Sequence, residues 1–182
     1  ITDARAVLTA GLSSAEARGG TALQDHLFVA LELIAQRQGR RVLILLSDGF
    51  DSLSVVPMPH VFELSRKSNA LIYWIQISSD NDILAGVGGA TVSSAWKNSV
   101  EYHKQVDLLR QAVSESGGRI LQIGTPQEIG PVFIDILREL REQYVLGYYP
   151  SDRQNDGRWH RVRVEIAGDN LEVRAPRGYV DH

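Results

Sequence analysis

The chain has 182 residues, 43 % apolar and 23 % charged, a globular balance that excludes wholesale disorder. A net charge of −3 argues against bulk nucleic-acid or anionic-membrane binding, which draw on a basic excess. There is no cysteine, which removes disulfide frameworks, thiolate metal sites and Cys nucleophiles. The longest unbroken apolar run, 42–46, is far short of the ~20 residues of a membrane span.

The chain opens Ile1-Thr2-Asp3, without an initiator Met or a signal-like stretch, and is expected to be a piece of something longer. Residues 3–13 carry apolar side chains at roughly helical spacing, and 14–20 read as a connecting loop. A broad apolar face over 22–37 predicts a helix, with Gly39 beyond its end. Residues 41–47 (RVLILLS) are apolar without alternation, the pattern of a strand covered on both faces. The turn Asp48-Gly49-Phe50-Asp51 follows, then a helix over 59–68 and a second buried strand, 70–77. Residues 78–100 are rich in Ser, Gly, Asn and Asp and read as a long excursion. A helix over 101–116 closes at Gly117-Gly118, a short strand occupies 119–123, and Pro126 sits where a helix over 127–142 can begin.

Strands alternating with helices predict a mainly parallel sheet with helices on both faces, its strands 41–47, 70–77 and 119–123 adjacent in that order. From 143 the style changes. Residues 144–149 (YVLGYY) form a strand candidate, Val162, Val164 and Ile166 alternate with charged residues, and Gly168-Asp169-Asn170 is turn chemistry before Leu171 and Val173. The expected division is an α/β part, 1–142, and an antiparallel β-meander, 143–182.

Two segments could carry chemistry. Gly19-Gly20-Thr21 precedes the first confident helix. Thr21 and Gln24 have capping-box spacing, and Asp25 suits the positive end of the helix dipole. Ser47-Asp48-Gly49 ends the first strand, where ligands sit in open α/β sheets, although Asp48 can equally start a turn. Together, Gly-Gly-Thr before an amphipathic helix and an apolar strand ending Ser-Asp-Gly resemble the von Willebrand factor type A domain. The tail, with Gln143-Tyr144-Val145-Leu146-Gly147-Tyr148-Tyr149-Pro150 and Ala175-Pro176-Arg177-Gly178-Tyr179, looks like that of the bacterial VWFA-related proteins.

The resemblance implies the second half of a three-layer, Rossmann-like fold and a non-enzymatic adhesion or protein-interaction module. It also implies an exported protein, periplasmic or extracellular. Thr21 and Asp48 would be ligands of a metal-ion-dependent adhesion site. They are hard oxygen donors suited to Mg²⁺, Ca²⁺ or Mn²⁺, and a partner protein's Asp or Glu carboxylate would complete the coordination. The family's Asp-x-Ser-x-Ser segment, the source of most direct ligands, does not occur; Asp51-Ser52-Leu53-Ser54 has the wrong spacing. The site is therefore expected to be incomplete, with little or no metal bound by this chain. Two other readings stand beside this one. One is a metal-free scaffold. The other is a metal-assisted hydrolase or phosphotransferase built on Asp48, with Asp51 or Asp25 as its second acid.

The five histidines show no metal-ligand spacing, and the tail arginines, Arg174 and Arg177 among them, read as a solvated face cancelled by neighbouring acids. The flat apolar edge of 42–46 is expected to be covered by a second copy of the chain, by the C-terminal meander or by an upstream segment.

Overall fold

The computed structural model describes residues 6, 9–11, 13–14, 19–77, 100–151, 155–168 and 173–181. Seven of its elements build an α/β unit: α1 (Leu23–Ala35), β1 (Val42–Ser47), α2 (Met58–Ser68), β2 (Leu71–Ile77), α3 (Val100–Glu115), β3 (Ile120–Ile123) and α4 (Ile129–Glu142). A 3₁₀ turn, Pro126–Glu128, leads into α4. The described residues of the stretch 3–13 are helical, as its spacing predicts. The predicted excursion, 78–100, lies outside the described residues except for Val100, which opens α3.

The strands form one parallel sheet in the order β1-β2-β3, as the alternation of strands and helices predicts. Val42 pairs with Leu71 and Trp74 with Ile120. Because successive strand residues point to opposite faces, the apolar runs serve two cores at once. Leu43, Leu45, Ile72, Trp74 and Ile120 face α1, α2 and α3, against Leu27, Leu31, Val61, Leu109 and Val113. Val42, Ile44, Tyr73, Ile75, Leu121 and Ile123 face α4, against Ile136, Val132 and Phe133. Tyr73, Trp74 and Ile75 on the central strand are fully buried, each contributing about 1.5–3 kcal/mol or more of apolar transfer. Gly118 permits this closeness, since a Cβ there would lie 1.8 Å from Ile72 O.

The tail departs from the predicted meander. Residues 143–150 form no strand, and Tyr144, Val145, Leu146 and Tyr149 stand in solvent. Residues 162–167 are irregular. The turn residues Asp169 and Asn170 and the strand residue Leu171 lie outside the described residues. The antiparallel pair is instead β4 (Trp159–Arg161) with β5 (Gly178–Val180), continued by Val162 N donating to Arg177 O at 2.8 Å. Alternation marks a surface half in contact with something, but it does not name the partner strand.

The tail packs on the α/β unit at the amino-terminal edge of the sheet. The Arg66 guanidinium lies between the rings of Phe62 (4.3 Å) and Trp159 (4.6 Å). Its Nε and Nη2 donate to the two oxygens of Glu115, at 2.7 and 3.2 Å. Arg177 N donates to Glu115 O at 2.8 Å, closing the tail onto the end of α3. On the other face Glu139 of α4 pairs with Arg119 (3.0 Å) and Arg174 (2.8 Å) and accepts the Tyr73 hydroxyl at 2.6 Å.

Candidate functional site

At the carboxyl end of β1 the chain must turn without leaving backbone donors unpaired. Ser47 Oγ accepts Gly49 N and Asp48 Oδ1 accepts Phe50 N, both at 3.0 Å, so the turn is built by the side chains that open it. Gly49 has φ +83° and packs so closely on Trp74 that a Cβ would sit 2.8 Å from its ring. Trp74 Nε1 in turn donates to Ser47 O at 2.9 Å, fixing where β1 ends. Asp48 is thus both a turn former and a half-buried carboxylate at this edge.

The loop after the turn folds over the start of α1. Ser52 N and Leu53 N donate to Thr21 O at 2.8 and 3.1 Å, and Thr21 N donates to Ser52 Oγ at 3.0 Å. Gly19 holds φ +74°, and a Cβ on Gly20 would meet Ser52 Oγ at 2.6 Å. The double glycine thus supplies a left-handed residue and a close approach. Thr21 and Asp48 therefore occupy two loops stitched together beyond the same strand end, with Thr21 exposed.

The capping box is not formed. The N-cap position is Ala22, with no side-chain cap, and Gln24 is buried with its amide donating to Gln105 Oε1 at 2.9 Å. The helix start is capped from outside. Asp51 Oδ2 accepts Gln24 N at 2.8 Å and the Ser54 hydroxyl at 2.5 Å, while Oδ1 accepts Ser54 N at 3.0 Å. Asp25 N donates to Ser54 Oγ at 3.1 Å, and the Asp25 carboxylate accepts Val55 N and Val56 N at 3.0 and 2.8 Å. Both acids considered as companions of Asp48 are thus engaged by backbone amides. The signal for this lay in Asp51-Ser52-Leu53-Ser54, which has the composition of a side-chain-bonded turn.

No group of three or more His, Asp or Glu side chains that could hold a metal occurs among the described residues. His160 stacks on Tyr179 at 5.5 Å beside Asp156, and His26 Nδ1 lies against Ala22 O, local contacts of the kind expected of scattered histidines.

The strongest electrostatic perturbations lie away from this edge. Burial raises the Tyr73 hydroxyl well above its ordinary value, and the hydrogen bond to Glu139 adds to the effect. Burial pulls Glu139 upward, but hydrogen bonds from Arg174 and Tyr73 and the charges of Arg174 and Arg119 outweigh it and hold the carboxyl below its ordinary value. Glu115 follows the same logic, with burial opposed by hydrogen bonds from Arg66 and Gln111. These groups fasten the tail. In chain order none of them adjoins the carboxyl end of β1.

No family model, curated protein or solved structure matches this chain.

Proposed function

We propose that the chain is a non-enzymatic protein-interaction module of the von Willebrand factor type A kind, carrying part of an adhesion site at the carboxyl edge of its parallel sheet. The observation that supports this is the stitching of the 19–21 loop, which carries Thr21, to the loop after β1, which Asp48 opens. The partner in this reading is a protein presenting an Asp or Glu carboxylate. Partner capture of this kind needs neither a nucleophile nor an acid–base pair. Asp25 and Asp51, the companions that the rival hydrolase would draw on, each accept backbone amides.

The residues at this edge do not fit a complete cation site. Mg²⁺ takes six oxygens in a strict octahedron. Thr21 and Asp48 offer one hydroxyl and one carboxylate, while Asp51 is engaged by Gln24 N at the start of α1 and Asp25 by Val55 N and Val56 N. That commitment favours a second reading, in which the chain is a metal-free scaffold.

Calorimetry on the chain should show Mg²⁺ and Mn²⁺ binding weaker than about 1 mM. Tight binding abolished by Asp48→Ala would overturn the half-site assignment. In amide NMR, millimolar Mn²⁺ should broaden residues 20–22 and 48–50 before all others, and Asp48→Ala should remove the effect. Broadening centred elsewhere sinks the choice of this edge, and no broadening at all selects the scaffold reading.

A further inference from the structure

We propose that the cleft between α3, the start of β3 and the C-terminal tail binds a small phosphate-bearing anion. It lies at the amino-terminal edge of the parallel sheet, opposite the edge that carries Asp48, so this inference does not rest on the adhesion reading. The cleft has a volume of about 370 Å³, within the range of small-molecule sites. Arg110, Arg119, Arg174 and Arg177 line it together with Ser114 and Gly117, and among the described residues no carboxylate does. The tail is essential to the cleft: Arg174 and Arg177 come from it, while Arg110 and Arg119 flank the Gly117-Gly118 turn.

Each guanidinium carries five N–H groups in a planar fork that matches phosphate oxygens two at a time. Arg110 has Asp107 at 3.2 Å, an exposed pair within one helix. Arg119 and Arg174 both pair with Glu139, which also accepts the Tyr73 hydroxyl. The acid felt by Arg177 is Glu115, already held by two nitrogens of Arg66. Nε of Arg119 faces Glu139 Oε2 at 3.0 Å. An acidic chain thus gathers four guanidinium groups around one open space with no carboxylate among its described lining, and a multiply charged oxyanion is the ligand whose charge complements them.

The test is calorimetric titration of the full chain with inorganic pyrophosphate, without divalent cations. Saturable binding is expected, weakened about tenfold by Arg110→Gln and by Arg177→Gln, the loss of one charge-assisted contact each. Arg161→Gln with Arg163→Gln, outside the cleft lining, should leave it unchanged, as should Asp48→Ala. Arg110 lies half-exposed on a helix surface, so its variant decides the matter even where Arg177→Gln fails to fold. No saturable heat, or equal weakening by the Arg161 and Arg163 changes, overturns the proposal. Arg119, Arg174 and Arg177 would then serve only to hold the tail.

Discussion

The Asp51 carboxylate, 8 % exposed, accepts a helix-start amide, a serine amide and a serine hydroxyl. Asp51→Ala would leave Gln24 N buried without its partner and free the 52–54 turn, so a loss of about 1–3 kcal/mol is expected. In a chain of this length each kcal/mol lowers the melting midpoint by about 2–4 °C. Thr21→Ala should shift stability by less than about 0.5 kcal/mol, because Thr21 is tied down through its backbone N–H and C=O. Thermal melts of the two variants check the ordering; a larger loss for Thr21→Ala would restore the capping box. Local spacing pointed to Thr21 and Gln24, but the cap comes from a residue 27 positions away from the amide it serves. No reading of neighbours could have found that distance.

At the scale of elements, the three parallel strands were legible because a run such as VLILLS can be buried on both faces only inside a covered sheet. The tail strands were not. The β5 residues Gly178, Tyr179 and Val180 are too few to show alternation, and the segment 144–149 finds no partner strand among the described residues. Among the described residues no tail strand pairs with β1, since β4 and β5 form a separate sheet. Among the described residues β1 pairs only with β2, and Leu46 on it is 43 % exposed. Unpaired apolar edges favour strand addition, and inward-facing charge discourages it. Sedimentation should show concentration-dependent self-association of the chain, reduced by Leu46→Lys. A monomer at all concentrations, with fast amide exchange through 42–46, would mean that this edge is stable uncovered.

For the whole molecule, attachment of the tail depends on Glu115 and Glu139 remaining ionised. Both sit below the ordinary carboxylate value in the folded chain, so each contributes stability that is present above the unfolded value of about 4.3 and lost as pH falls through the folded one. Urea unfolding should therefore change little on this account from neutral pH down to about 5, then weaken below about 4. Glu139→Gln should cost about 1–3 kcal/mol at neutral pH and flatten part of the acid slope. An unchanged slope would place the acid sensitivity elsewhere. In the sequence, the tail arginines read as cancelled by nearby acids. In the fold, Arg174 pairs with a glutamate 35 positions away, and Arg177 reaches back to the end of α3. Charge balance along a chain says little about charge balance in space.

The borrowed cap on α1 also bears on the order in which the chain assembles. A helix is ordinarily a local structure, able to nucleate from its own residues. The first turn of α1 instead draws on a carboxylate that lies beyond β1 and the turn at Gly49. Its closure carries the entropic cost of the intervening loop, so the start of α1 orders with the β1 turn and is released with it.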